Sequence, residues 1–165
     1  VILCTGAWTS GVSQSAAVDI QPVKGQMLLF SAQPGMVNRV VLSNGQYVIP
    51  RRDGSVVVGS TLEYSDFDKS TTEQARDKLA DMAIDLFPTL ATCQVAHHWA
   101  GLRPGTQSGI PYIDKHPEIQ NLAINAGHFR NGFAMGPAAA QLLYDLITNQ
   151  KTDLDSSSYA LDATH

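Results

Sequence analysis

The chain has 165 residues, 44% of them hydrophobic and only 16% charged, with a formal net charge of −4. That length suits one domain with a real core and is short for two, while the charge balance leaves no basic footprint for nucleic acid or an anionic membrane. No apolar run reaches the roughly 20 residues that a bilayer span needs, so no transmembrane segment is expected. The low charge points to a surface partly covered by something else.

In chain order, Val1-Ile-Leu-Cys-Thr5 reads as a fully buried strand with no initiator Met or signal peptide before it. Such strands belong inside α/β sheets, so the chain is expected to be the C-terminal portion of something larger. The strand ends in a tight turn at Gly6-Ala7-Trp8, and the small residues 11–18 suggest a short helical turn. Residues 21–30 and 37–43 read as strands separated by Gln33-Pro34-Gly35. Asn44-Gly45 and Asp53-Gly54 are turn signals leading into strands at 46–52 and 55–61, which gives an antiparallel meander. Thr71/Thr72 with Glu73 caps a helix running to about Phe87, stopped by Pro88, with Leu79, Met82, Ala83, Leu86 and Phe87 at helical spacing. Strands follow near 94–99, 111–113 and 122–125. A last helix is expected from Pro137 to Thr148, since proline suits a first helical position. It would turn Leu142, Leu143, Leu146 and Ile147 to the core. The Asp- and Ser-rich segment from Lys151 reads as loose. The fold class is therefore α+β, a largely antiparallel sheet with helices packed on one side.

Few residues present themselves for chemistry. Arg103 follows the apolar Trp99-Ala-Gly-Leu102, where an unpaired cation is costly. Either a carboxylate of the protein or one of a ligand meets it, since a guanidinium grips a carboxylate through two parallel hydrogen bonds. Arg130 sits between Gly127 and Gly132 and is either a structural ion-pair partner or part of a turn whose glycines bring backbone close to a bound group. Tyr47 lies on a strand with Val48 on the opposite face, and is either a half-buried strand tyrosine or a phenol that assists an arginine. Cys4 and Cys93 lie apart in apolar settings and read as buried free thiols of a reducing, cytoplasmic compartment. The histidines form no metal-ligand pattern, so no metal is expected. His97 and His98 face opposite sides of their strand, so at most one points inward. No nucleophile elbow supports serine hydrolysis.

Three segments in order carry a resemblance: Tyr47-Val-Ile-Pro-Arg-Arg-Asp-Gly54 with Val58-Gly-Ser-Thr61, Trp99-Ala-Gly-Leu-Arg-Pro-Gly-Thr106, and Gly127-His-Phe-Arg-Asn-Gly132. With them the chain resembles the D-amino acid oxidase-like flavoproteins from about Val1 to Gln150, within that family most of all the glycine oxidases of thiamine biosynthesis. The likeness corresponds to the second half of such enzymes. It implies oxidation of glycine or another small amino acid by hydride transfer to flavin N5 of FAD, with oxygen or another acceptor taking the electrons. The products would be an imine, then an oxo acid, ammonia and hydrogen peroxide.

The resemblance assigns the substrate carboxylate to Arg103, assisted by Tyr47 and bordered by Arg130. It lays Gly127, His128, Phe129, Arg130, Asn131, Gly132 and Phe133 along the flavin, with Gly6, Ala7 and Trp8 touching FAD from the nucleotide side. No residue acts as a catalytic acid or base, because a neutral amine needs only orientation. By the same resemblance, residues 1–10 are a remnant of the FAD-binding domain, 11–115 the substrate domain, 116–150 a return segment with a helix contacting FAD, and 151–165 a loose tail. The helix expected at Pro137 would support negative charge on the flavin.

Three features depart from the pattern. The Gly-x-Gly-x-x-Gly fingerprint is missing, so the chain alone is not expected to hold FAD or to be active. Gly45 stands where a polar residue is usual and Leu62 where Met is usual, which bears on glycine preference. The alternatives are a D-amino acid or sarcosine-type oxidoreductase and a non-catalytic ligand-binding module. A surface suited to the FAD domain can also drive dimerisation, making a homo-oligomer a further expectation.

Overall fold

The computed structural model describes residues 1–12 and 18–163. In chain order the elements are β1 (Ile2–Leu3), a 3-10 turn at Gly6–Trp8, α1 (Thr9–Val12), β2 (Gln21–Ser31), β3 (Val41–Ser43), β4 (Gln46–Pro50), β5 (Val56–Gly59), β6 (Glu63–Tyr64), α2 (Glu73–Leu86), β7 (Gln94–Gly105), β8 (Tyr112–Lys115), β9 (Ala123–Ala126) and α3 (Gly132–Thr148). They form two compact units, Val1–Val23 with Arg103–His165 and, inserted between these, Lys24–Leu102.

In the inserted unit the strands lie in the order β3-β4-β5-β2-β6, and β7 also pairs with β2. The register aligns Val48, Val58 and Leu28 in one row and Tyr47, Gly59 and Met27 in the next. Side chains alternate across a strand, so Leu28, Phe30, Val48, Val56 and Val58 share one face. All five are buried with Leu79 and Ala83 of α2 and Leu90. Each such side chain contributes about 1.5–3 kcal/mol by leaving water. Thr72 caps α2 as its spacing predicts, its hydroxyl accepting from Ala75 N at 3.3 Å. Asn44 and Gly45, at φ 50° and 76°, close the two-residue turn between β3 and β4, the pairing that favours Asn-Gly.

The other unit holds a three-stranded sheet in the order β1-β9-β8. β1 runs parallel to β9, pairing Ile2 with Ala123 and Leu3 with Ile124, and β8 runs antiparallel to β9. From α3, Ala139, Leu142 and Leu143 pack with Ile113 and Ala123.

Several expectations need correction. The opening strand has two residues, and Val1 and Ile2 are exposed, β1 pairing with β9 alone among the described residues. Cys4 is accordingly exposed and Cys93 half-buried, although both thiols are free. The strand expected at 37–43 begins at Val41, since Val37 turns into the core instead of pairing. β7 extends to Gly105, so Arg103 and Pro104 lie within the strand and not after it. Proline is tolerated there because a strand end can forgo a ladder donor.

α3 begins at Gly132, with Pro137 inside it. Its first turn is closed by Met135 N donating to Asn131 O at 2.9 Å before the proline is reached, and Gly136 offers no Cβ to clash with the ring. The segment after Lys151 is anchored by a 3-10 turn at Ser157–Tyr159, and Tyr159 and Leu161 pack on the two core clusters of this unit. The helical turn expected at 11–18 is seen only through Val12, as residues 13–17 lie outside the described residues.

Candidate functional site

Two glycine turns meet at one end of the three-stranded sheet. Gly6 is the third residue after Leu3, and Gly127 the third after Ile124, its register partner on the parallel neighbour. Both turns therefore leave the carboxyl ends of adjacent parallel strands, where ligands of such sheets characteristically bind. Gly6 has φ +57° and Gly127 φ +86°. A Cβ on Gly127 would stand 2.7 Å from Thr106 Cγ2, so with its positive φ the turn strongly favours glycine. Ala7 is buried while Trp8 stays exposed. Trp8 N donates to Thr5 O at 3.1 Å, and the Thr9 hydroxyl donates to Gly6 O at 2.8 Å, fixing the first turn.

The second turn is tied to the strand that carries Arg103. Phe129 N donates to the carbonyl of Pro104 at 3.0 Å, and Phe129 itself holds φ +48°, a conformation strained for a residue with a Cβ. Arg103, one residue before that anchor, is half-buried, and Arg130 is exposed in the turn. Asn131 N donates to His128 O at 3.0 Å and leads into α3. The N–H groups of the first helical turn have no partner within the helix and carry its positive dipole end. That end lies at Gly132 to Met135 and not at Pro137. Phe133 there is fully exposed. Burial pushes the His128 imidazole down, and its Nε2 is buried without a hydrogen-bond partner among the described residues.

Tyr47 belongs to the inserted unit, on the face of the sheet away from α2. It is half-buried, and its hydroxyl donates to Met27 Sδ at 3.7 Å. Gly59 makes room for it, because a Cβ there would lie 3.2 Å from the phenol oxygen and 3.0 Å from Met27 Cγ. Gly45, two residues before Tyr47, has open space where a Cβ would point. Of the two strand histidines, His97 is exposed and His98 partly buried. Burial, then the charge of Arg76, lowers the pKa of His98.

A polar cluster in the same unit escapes the sequence reading. Gln26 is fully buried and the Lys24 side chain is 5% exposed. Lys24 Nζ donates to Asp68 Oδ2 at 3.1 Å and to Ser70 O at 3.2 Å, and lies 3.4 Å from Glu63 Oε2. Gln26 Nε2 donates to Glu63 Oε1 at 2.9 Å, and Gln26 Oε1 accepts from Thr72 N at 2.9 Å. Burial pulls Lys24 down, but its bond to Asp68 and the charges of both carboxylates outweigh this and raise its pKa. Burial likewise favours neutral Glu63, yet donation from Thr61 and Gln26 and the Lys24 charge leave it lowered. Asp68 is held to about 2 by the Ser70 hydroxyl and N–H and by Lys24. The signal was present in the sequence: Lys24 and Gln26 occupy the alternate positions that Leu28 and Phe30 continue as core.

The comparisons with known proteins fit this arrangement. Residues 1–146 match the profile of the family described as FAD dependent oxidoreductase. The chain belongs to that family. It is 44% identical over 162 residues to glycine oxidase of Pseudomonas aeruginosa, covering 97% of this chain and 44% of that protein. The crystal structure of glycine oxidase from Geobacillus kaustophilus superimposes with a TM-score of 0.93 at 28% identity, covering 100% of this chain and 45% of that one. Iminodiacetate oxidase from Chelativorans gives 0.88 at 27% identity, covering 96% and 45%. The chain thus spans less than half the length of these relatives. Its α+β, mostly antiparallel fold is the one their matching halves share.

Proposed function

We propose that this chain forms the substrate-binding half of an FAD-dependent oxidase of glycine or a similarly small amino acid. The observation that carries the reading is the convergence of the Gly6 and Gly127 turns at the carboxyl ends of β1 and β9, beside the start of α3. These residues suit a planar, partly anionic cofactor: backbone with no side chain in the way, a positive helix end, exposed Trp8 and Phe133, and an unpartnered buried nitrogen on His128. Residues Gly6 to Trp8 and Gly127 to Phe133 would hold it. The chemistry that FAD would supply there is acceptance of a hydride from the substrate α-carbon, with oxygen or another acceptor taking the electrons.

The protein's own contribution is placement. The Arg103 guanidinium holds the substrate carboxylate through paired charge-assisted bonds, the Tyr47 hydroxyl supports it, and Arg130 borders it. The first-turn N–H groups of α3 face growing negative charge. The oxidised amine leaves as an imine that water converts to an oxo acid and ammonia. On this reading residues 1–10 and 116–150 serve the cofactor and 11–115 the substrate.

The test is anaerobic bleaching of the flavin in the full-length protein by glycine, sarcosine and D-alanine added separately. Rapid bleaching by glycine that disappears in Arg103→Ala, with the flavin still bound, is the expected result; a protein that binds no flavin overturns the reading. A second reading, an oxidase of a larger D-amino acid or N-substituted glycine, rests on the two departures from the family pattern, Gly45 and Leu62. Bleaching by D-alanine or sarcosine but not by glycine would establish it.

A further inference from the structure

We propose that the turn between β4 and β5, together with Trp99 of β7, forms a binding site for a small anion carried on an aromatic ring, its charged group a carboxylate or a phosphate. The site lies wholly within the inserted unit and does not rest on the oxidase reading.

Leu28, Phe30, Val56 and Val58 pack with α2, so alternation turns Leu29 and its register partner Val57 to the opposite face of the sheet. There Leu29, Val57 and Trp99 line a groove of about 690 Å³ with Arg51, Arg52, Asp53 and Ser55 of the turn, a size that suits a small ligand. The Trp99 side chain is left 39% exposed beside this apolar floor.

The turn that brings the two arginines is tightly held. Arg51 N donates to Ser55 O at 2.8 Å, and Gly54 N donates to Arg51 O at 3.1 Å. A Cβ on Gly54 would stand 2.5 Å from Pro34 N, so the turn packs directly on the segment before β3. Asp53 Oδ1 accepts from Ser55 N at 3.0 Å and from the Ser55 hydroxyl at 2.7 Å. The carboxylate closest to the arginines in sequence is therefore committed to its own turn. Ser55 is the first cause of its lowered pKa and the Arg51 charge the last. Neither Arg51 nor Arg52 makes a salt bridge or a side-chain hydrogen bond among the described residues. By contrast, Lys24 in the same unit has two carboxylates, and Arg39 Nε donates to Asn38 Oδ1.

Two unpaired guanidiniums on a fixed turn match the oxygens of a carboxylate or phosphate. An indole beside them offers its face to a ring, and Leu29 and Val57 supply apolar surface to cover. The fixed backbone means little ordering is needed on binding. An anion without a ring would leave Trp99 unused, and a neutral ring would leave both cations unused.

The experiment is calorimetric titration of the full-length flavoprotein with phenyl phosphate, 3-phenylpropionate, inorganic phosphate and benzyl alcohol. At least one of the two ring-bearing anions is expected to bind about tenfold more tightly than inorganic phosphate and than benzyl alcohol; which one identifies the charged group. The double variant Arg51→Gln with Arg52→Gln should weaken that binding about tenfold, and Trp99→Leu about fivefold. Raising salt from about 50 to 300 mM should weaken binding in the wild type and leave the double variant nearly unaffected. Both arginines are exposed, so their replacement leaves the core intact.

Unchanged affinity in the double arginine variant overturns the inference, as does inorganic phosphate or benzyl alcohol binding as tightly as the ring-bearing anions. Failure of both ring-bearing anions to bind overturns it too, and a hexaglutamate peptide binding in their place would give the arginines to an acidic protein partner. Each of these results leaves the oxidase reading standing, because flavin bleaching by glycine is measured separately.

Discussion

The two units of the molecule place their unusual features differently. In the inserted unit, Lys24–Leu102, the centre is orthodox: Leu28, Val48 and Val58 are fully buried beside Leu79, and its buried charge is paired. In the other unit several unusual features share one sheet end, where Gly6, Gly127 and Phe129 hold positive φ, Trp8 and Phe133 stay exposed, and His128 keeps an orphan nitrogen. Interiors that serve stability satisfy their polar groups, whereas strain and unmet hydrogen-bonding capacity persist where a ligand completes the structure. Orphan buried atoms alone do not mark the difference, since Ser65 Oγ and His98 Nε2 of the inserted unit also lack partners among the described residues; what differs is that in the other unit one of them shares a sheet end with strained backbone and exposed aromatic rings.

The largest effect should come from breaking the scaffold. Leu79→Ala empties a fully buried position and should cost about 2–5 kcal/mol in urea unfolding, with amide exchange quickening in β4 and β5 before β9. Equal acceleration in β9 would make the two units one cooperative body and break the comparison. Next is Gly127→Ala, which combines an unfavourable φ with the approach to Thr106. About 1–3 kcal/mol of strain is expected, seen as faster exchange in β9 and α3 and as weakened flavin retention, with β4 and β5 unaffected.

The smallest effect is acid sensitivity. Glu63 and Asp68 titrate below their ordinary range in the fold, so their stabilisation is fully present above an unfolded carboxylate pKa of about 4. It is lost as pH falls toward 2. A melting series from pH 7 to 2 should therefore show the inserted unit weakening in that window, and Lys24→Met should flatten the slope. Lys24, raised in the fold, adds stability that is present at neutral pH and disappears only above its ordinary range near 10.5.

Local chemistry was readable in the sequence. Thr72, Leu79 and Ala83 announce α2 within one stretch of chain, and Asn44-Gly45 announces its own turn. The start of α3 was not readable, because Pro137 imitates a first helical residue and the closure of the earlier turn through Asn131 leaves no mark in composition. Cys4 has apolar neighbours in sequence, but it lies just past the end of the two-residue β1, which pairs with β9 alone among the described residues, and is exposed. The alternation along β2 puts Lys24 and Gln26 on the core face, but their partners lie 37 to 46 positions away, a separation that no local pattern records. For the candidate site, the motifs located the turns, while their meeting depended on the parallel pairing of β1 with β9.

The inserted unit is one unbroken stretch of sequence, and Arg103 is the first residue after it. On the proposed reading, the group that recognises the acid is inherited with the cofactor cradle, whereas Tyr47 and Leu62 are inherited with the insertion. Changes between Lys24 and Leu102 can then retune which side chain is accepted and leave the demand for a carboxylate intact.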